Sequence, residues 1–258
     1  MTGGPGSAAG GLSTAAMSAR EHLALAFDTD DLDGAVALAR RLRSWFAVAK
    51  VGLELFGSAG PDAIAAMADE GFIVFADIKL HDIPTTVGRA ARALGRAGAG
   101  YLTVHASGGA AMIEAAVHGL AEGSLAGSGA VPDAMVLGVT VLTSDPSATP
   151  ARLSELVGVA EASGCGGVVC AGSDLPVVLR RAPRLRRVVP GIRPAGTGAD
   201  DQARVATPGA AIAAGADLLV IGRAVTAAAD PAVAAAAVHA EVTDALATGS
   251  TISEHSGA

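Results

Sequence analysis

Short apolar runs alternate with longer segments rich in Ala, Leu and Arg along most of the chain. The runs contain many β-branched residues and are bounded by Gly or polar residues, a pattern typical of buried parallel strands. They predict eight strands, at residues 23–28, 47–51, 73–79, 101–105, 135–141, 167–170, 187–190 and 218–221.

The segments between these runs have helical periodicity. In 31–43, for example, Leu32, Val36, Ala39 and Leu42 share one face. Similar helices are predicted at 86–96, 110–119, 151–162 and 231–247. Strands and helices alternating in this way predict an α/β protein with a single (β/α)8, or TIM, barrel. A doubly wound open sheet is the alternative, but no G-x-G-x-x-G follows the first strand.

The 258 residues fit one domain, and 51% apolar residues provide for a large core. We expect residues 21–247 to form the barrel. Residues 1–20 are rich in Gly and Ala and predict a flexible extension, and 248–258 predict a flexible C-terminal tail.

Charge and composition exclude several classes of protein. The net charge is −7 without a basic surface run, which argues against nucleic-acid binding. No apolar segment is long enough to cross a membrane, and the first residues make a poor signal peptide. Cys165 and Cys170 cannot form a disulfide framework, and free thiols fit a cytoplasmic location.

Only two of the eighteen basic residues are lysines. Lys50 lies in the second predicted strand, and Lys79 lies between Asp77 and Asp82 at the end of the third. Lysine can release a proton, whereas the pKa of arginine is too high for that. A chain that uses arginine elsewhere therefore marks these two positions as candidates for chemistry.

The active residues of a (β/α)8 barrel lie at the carboxyl ends of its strands. Asp77 and Lys79 are two residues apart, so on a strand they share a face. With Asp28 and Lys50 on the neighbouring strands, they predict an array of alternating charges. A purely structural ion-pair network is the alternative interpretation.

Two loops are candidates for phosphate binding. Residues 191–198 form a Gly-rich loop after strand seven, and residues 221–223 follow strand eight. Loops at these places in barrels often bind phosphate through backbone N–H groups.

His105 is more typical of a neutral pocket-wall residue than of a general base. No set of residues has metal-ligand spacing.

An ammonium group held between carboxylates suits a carbanion intermediate, because it stabilises the negative charge and then donates a proton. A carboxylate beside a substrate carboxylate disfavours the ground state. The residues alone therefore indicate a small phosphate-bearing substrate and proton or carboxylate chemistry through Lys79, without a metal or an organic cofactor.

The run Asp77-Ile-Lys-Leu-His-Asp-Ile-Pro-Thr-Thr86 resembles the D-x-K-x-x-D signature of orotidine 5′-phosphate decarboxylases. Seven more blocks are similar to that family, in order: Leu25-Ala-Phe-Asp28, Lys50-Val-Gly-Leu-Glu-Leu-Phe56, Thr103-Val-His-Ala106, Gly138-Val-Thr-Val-Leu-Thr-Ser144, Pro190-Gly-Ile-Arg-Pro194, Asp200-Asp-Gln-Ala-Arg204 and Val220-Ile-Gly-Arg223. Position 85 is Thr where family members often carry Asn.

The resemblance implies decarboxylation of orotidine 5′-monophosphate (OMP) to UMP, the last step of de novo pyrimidine nucleotide biosynthesis, without a cofactor. Asp28 and Lys50 would hold the ribose hydroxyls. Asp77 would press against the departing carboxylate, and Lys79 would protonate C6 of the pyrimidine.

The resemblance also implies a homodimer, in which Asp82 and Thr86 reach the substrate of the neighbouring subunit and Ile83 lies against the substrate. The remaining implied substrate-binding residues are Thr143 at the pyrimidine edge, Gln202 between base and phosphate, and Arg193, Gly222 and Arg223 at the phosphate. The loop 193–202 would close over the substrate.

Two other functions stay open. One is a metal-dependent sugar-phosphate decarboxylase or hexulose-phosphate lyase on the same scaffold, for which Glu54 is the only nearby candidate ligand. We expect Glu54 to pack or pair instead. The other is a nucleotide-binding or interaction protein without catalytic activity.

Overall fold

Eight parallel strands close into a barrel in chain order, and β1 pairs with β8 to complete it. The computed structural model describes residues 17–127, 131, 133–142, 149–194 and 206–255, with side chains as far as residue 248. The strands are β1 Leu23–Phe27, β2 Val48–Val51, β3 Ile73–Leu80, β4 Ala99–His105, β5 Met135–Val139, β6 Gly167–Val169, β7 Arg186–Val189 and β8 Leu218–Ile221. The predicted (β/α)8 barrel is confirmed.

The described ranges contain ten α-helices around the barrel. They are α1 Leu32–Leu42, α2 Leu53–Ala59, α3 Pro61–Asp69, α4 Pro84–Arg96, α5 Ala110–Ala126, α6 Pro150–Ala162, α7 Leu175–Arg181, α8 Pro208–Ala213, α9 Arg223–Thr226 and α10 Pro231–His255. The helical pattern did not single out α2, α3, α7 or α8, because each spans fewer than three turns and shows little periodicity. Gly60, at φ +59°, separates α2 from α3.

Apolar side chains form an outer layer between strands and helices and an inner layer inside the barrel. Small residues of the inner layer, such as Ala24 and Ala26, leave room for Phe75 and Tyr101. The Tyr101 hydroxyl lies 2.8 Å from a guanidinium nitrogen of Arg186, which donates a hydrogen bond to it. The inner layer thus fills the barrel below its carboxyl-end rim.

The folded part begins before residue 21. Ala19 is buried, and the Ser18 N–H donates to the Glu21 carboxylate at 2.7 Å. The Arg20 guanidinium donates to the carbonyl oxygens of Arg43 and Phe46. These contacts involve residues 18–20, which precede the predicted start of the barrel at residue 21. Residues 1–16 lie outside the described residues, and their flexibility stays a prediction.

Helix α10 continues to His255, eight residues beyond 247, the predicted end of the barrel. The one glycine in this stretch, Gly249, costs a helix about 1 kcal/mol relative to alanine and does not end it. Although α10 has 25 residues, no helix in the described ranges is apolar enough along its length to cross a membrane.

Helices α4 and α5 contact each other backbone to backbone. A Cβ atom added at Gly119 would overlap the carbonyl oxygen of Gly88, and one added at Gly123 would overlap that of Arg92. Glycine is therefore required on this face of α5, and the close contact fixes α4 directly after the charged end of β3.

We expect Gly119→Ala to lower the free energy of unfolding by about 1–3 kcal/mol, because the added methyl group forces the two helices apart. Urea unfolding would measure the change. Gly57→Ala in α2 is the matched control, since its added Cβ meets no atom within 4 Å. The control should not be destabilised, because alanine is the better helix former. Equal stability of the two variants would contradict the packing argument.

Candidate active site

A pocket of about 360 Å³ opens at the carboxyl ends of the strands. Its floor includes the inner-layer residues Ala26, Phe75 and Val220. Seven of the predicted site residues line it: Asp28, Lys50, Asp77, Lys79, Arg193, Gly222 and Arg223. A mostly apolar cavity with a few convergent polar groups is the usual form of a small-molecule site.

Asp77 lies at the centre of a line of four charged side chains. Its Oδ1 is 2.8 Å from Lys79 Nζ, and its Oδ2 is 3.5 Å from Lys50 Nζ. Lys50 Nζ is also 3.2 Å from Asp28 Oδ1. The structure thus brings together the four side chains that the sequence placed at this rim, with the two signs alternating.

Opposing influences set the pKa of Asp77. Burial raises the pKa of this carboxyl and is the largest single influence. Attraction to Lys50 and Lys79, with hydrogen bonds from Lys79 and Thr103, together outweighs burial, so the pKa lies below its ordinary value. Asp77 is therefore an ionised carboxylate at neutral pH, despite its apolar surroundings.

Strand β3 becomes irregular where it enters the pocket. Its pairing with β4 passes from Ala76↔Leu102 directly to Leu80↔Val104, so β3 holds two more residues than β4 between these pairs. Lys79 adopts a left-handed backbone conformation, with φ +50°. The simple alternation expected from the sequence holds as far as Asp77, and a bulge places Lys79 at the pocket.

Thr103 on β4 is a site residue that the sequence interpretation missed. Its side chain is fully buried, and its hydroxyl lies 3.1 Å from Asp77 Oδ1. The available signal was its position two residues before His105, on the interior face of the strand beside Asp77. A threonine on an interior strand face is usual, so this signal was weak.

Positive charge is concentrated in the pocket, although the whole chain carries −7. The described lining contains four cationic side chains and two carboxylates. Arg193 follows β7, and Arg223 begins α9 directly after Gly222 and β8. This lining suits an anionic ligand.

Three of the other predicted site residues lie outside the pocket. Asp82, Ile83 and Thr86 are exposed and do not line the pocket. In the described ranges Asp82 makes no ion pair, and its carboxylate accepts the Ile83 N–H at 2.6 Å. Thr143 and Gln202 lie outside the described residues.

His105 lies beside His81 at the rim, with their ring centroids 5.4 Å apart. Burial, followed by electrostatic interactions with His81 and Lys79, lowers the pKa of His105. The imidazole is therefore neutral at neutral pH, but His105 does not line the pocket. The two thiols are buried, and burial raises the pKa of both Cys165 and Cys170 to about 12.

No group of three or more His, Cys, Asp or Glu side chains in the described ranges could hold a metal ion. Glu54 is exposed at the start of α2 and does not line the pocket. The expectation that it packs or pairs is wrong for the described part of the chain, where no ion pair involves it.

The fold and the charged pocket at the ends of its strands define the class of protein as a (β/α)8-barrel enzyme. Residues 21–238 match the family described as "Orotidine 5'-phosphate decarboxylase / HUMPS family". The chain belongs to this family.

Individual relatives agree with this assignment. A protein of Nitratidesulfovibrio vulgaris (strain DSM 19637 / Miyazaki F) named orotidine 5′-phosphate decarboxylase is 45% identical over 227 residues, which are 78% of this chain and 89% of that protein. One of the same name from Anaeromyxobacter sp. (strain K) is 44% identical, over 80% and 91% of the two chains. The crystal structure of orotidine 5′-phosphate decarboxylase from Lactobacillus acidophilus aligns with a TM-score of 0.73 and 32% identity, covering 86% of this chain and 99% of that one.

We expect Asp77→Asn to lower the free energy of unfolding at pH 7 by about 1–3 kcal/mol, because two ammonium groups lose their shared carboxylate. The pKa of Asp77 is depressed in the folded state. Its ionised form therefore stabilises the fold above about pH 4, and this contribution is lost as the pH falls through the folded-state pKa. The difference between wild type and variant should shrink accordingly.

Urea unfolding between pH 7 and pH 3 would measure this convergence. Glu155→Gln is the control, because Glu155 forms an exposed ion pair with Arg152 on α6. Such pairs contribute about 0–1 kcal/mol, so its effect should stay small at every pH. A destabilisation by Asp77→Asn that is constant with pH would contradict the ionised state of Asp77.

Proposed function

We propose that this enzyme decarboxylates orotidine 5′-monophosphate to UMP, the last step of de novo pyrimidine nucleotide biosynthesis, and that it needs no metal or organic cofactor. The observation that carries the proposal is the Lys79–Asp77–Lys50–Asp28 line in a cation-rich pocket of a chain from this family. We also propose that the enzyme acts in the cytoplasm, as its free thiols suggest.

In the proposed reaction the bond between C6 and the carboxylate breaks, and its electron pair stays on C6. The carboxylate of the substrate lies beside the ionised Asp77, so loss of neutral CO2 relieves the repulsion between the two charges. The Lys79 ammonium stabilises the developing negative charge and donates a proton to C6. Lys79 then regains a proton from water.

The rest of the pocket would bind the nucleotide. Asp28 and Lys50 would hold the ribose hydroxyls, and Arg193 and Arg223 would bind the phosphate as guanidinium forks. Gly222 would bring its backbone close to the phosphate. Thr143 and Gln202 would contact the pyrimidine, and the loop 193–202 would close over the bound substrate. Phosphate binding would then help to assemble the catalytic geometry.

The proposed active enzyme is a homodimer. Asp82 and Thr86 follow β3, are exposed and do not line the pocket of their own chain. Ile83 between them is 65% exposed, and Leu53 is 62% exposed at the start of α2. Exposed apolar residues near a site support a subunit contact there. Asp82, Ile83 and Thr86 would then complete the partner's site.

We expect Lys79→Ala to lower kcat for orotidine 5′-monophosphate by at least about 10²–10⁴-fold, the usual contribution of a positioned proton donor. The fall in ultraviolet absorbance of the substrate, recorded in EDTA, measures turnover. Arg40→Ala is the control, because Arg40 pairs with Glu70 on the outer surface. It should retain wild-type kcat.

Substantial turnover by Lys79→Ala would contradict the role of Lys79. Folded wild-type protein that binds UMP without turnover would contradict the proposed reaction and favour a binding protein. Metal-stimulated turnover of a hexulose phosphate, with no reaction of orotidine 5′-monophosphate, would favour the metal-dependent alternative.

A shared site predicts complementation between inactive subunits. We expect Lys79→Ala and Asp82→Ala proteins, each inactive alone, to regain activity when mixed and allowed to exchange subunits. In a symmetric dimer, random exchange restores roughly a quarter of the sites, because half of the dimers are mixed and each has one intact site. Mass spectrometry would verify the exchange. No recovery after verified exchange would contradict the contribution of Asp82 across the interface.

A further inference from the structure

One buried hydroxyl joins Asp77 and Lys79, two neighbouring members of the charged line. Thr103 is fully buried on β4, beside the bulge in β3. Its Oγ1 accepts the backbone N–H of Lys79 at 3.0 Å and lies 3.1 Å from Asp77 Oδ1. The carbonyl oxygen of Ala76 is farther away, at 3.4 Å.

The single hydroxyl proton goes to Asp77. A threonine hydroxyl donates one hydrogen bond and accepts up to two. An ionised carboxylate is a stronger acceptor than a backbone carbonyl, and it is also the nearer of the two here. One oxygen atom therefore holds the side chain of Asp77 and the backbone of Lys79 at once.

The Lys79 N–H depends on this hydroxyl because the regular pairing of β3 is interrupted there. The ladder skips from Ala76↔Leu102 to Leu80↔Val104 and leaves no β4 residue paired with Lys79. The left-handed backbone of Lys79 also has to be held by its surroundings, because a non-glycine residue rarely adopts it. Thr103 takes the place of the missing ladder partner.

We propose that Thr103 is a positioning residue, which uses its hydroxyl to hold Asp77 and Lys79 in their reactive arrangement. This inference rests on the proposed function for its kinetic consequence, but not for the structural arrangement itself. Thr103 does not line the pocket, so it acts through the two residues that do.

Two substitutions separate the hydroxyl from the shape of the side chain. Thr103→Val keeps the shape but removes the hydroxyl, which leaves a buried N–H without its partner. Thr103→Ser keeps the hydroxyl and removes one methyl group. If Thr103 only packs, the valine variant should retain more activity than the serine variant. If Thr103 positions Asp77 and Lys79, the serine variant should retain more activity.

We expect Thr103→Val to lower kcat about 10- to 100-fold, because small misplacements of reacting groups have effects of this size. KM should change by less than about 3-fold, because the groups proposed to bind ribose and phosphate remain in place. Thr103→Ser should stay within about 3-fold of wild-type kcat. Steady-state kinetics measures both constants, with circular dichroism to verify folding.

A second readout needs no turnover. The Thr103 hydrogen bond is one of the influences that lower the pKa of Asp77. Titration of the Asp77 carboxyl carbon by NMR should therefore show a higher pKa in Thr103→Val and an unchanged one in Thr103→Ser. If wild-type protein does not decarboxylate the substrate, the proposed function fails, and this titration still tests the positioning role.

Wild-type kcat and an unchanged Asp77 titration in Thr103→Val would overturn the inference. An equal loss of kcat in the serine and valine variants would overturn it as well. If the valine variant does not fold, Thr103→Cys replaces it, because a thiol is a weak hydrogen-bonding group of similar size. A cysteine variant as active as the serine variant would again overturn the positioning role.

Discussion

The rest of the site depends on keeping the carboxylate of Asp77 ionised in an apolar pocket. A carboxylate removed from water is costly unless charges and hydrogen-bond donors replace its hydration. Lys79 and Lys50 form ion pairs with different carboxylate oxygens of Asp77, and the Thr103 hydroxyl donates a hydrogen bond to it. These groups come from β2, β3 and β4, so the closed barrel, and not a local motif, brings them together.

This requirement accounts for the irregular end of β3. A regular strand would pair residue by residue with β4, but two extra residues are inserted between Ala76 and Leu80. A left-handed backbone at Lys79 stores roughly 1–3 kcal/mol of strain. The regular pairing of β2 with β3 as far as Val51↔Ala76, and the contact of α4 with α5 beyond, hold the irregular segment from both ends. The strain is thus confined to the residues that carry the charge.

The sequence predicted the parts of the molecule that repeat or are unusual. Eight apolar runs predicted all eight strands, and the scarcity of lysine pointed to Lys50 and Lys79. It did not predict the short helices, whose few turns show no clear period. The sequence did not indicate Thr103, because its role depends on the pairing register between β4 and β3. That register cannot be read from the sequence of one strand. Roles for Asp82 and Thr86 across a subunit interface were predicted only from the family resemblance, since the substrate proposed for each is bound to a second chain.

Different physical constraints favour lysine over arginine at positions 50 and 79. Lys50 is 8% exposed and bridges one oxygen each of Asp28, directly after β1, and Asp77 on β3. A Cβ atom at Gly52 would lie 2.6 Å from Asp28 Oδ1 and 3.1 Å from Lys50 Nζ, so the compact ammonium lies close against Gly52, where a broader guanidinium would have less room. At Lys79 the proposed chemistry sets the limit, because arginine cannot release a proton. Steric fit at one position and proton transfer at the other lead to the same residue in a chain otherwise rich in arginine.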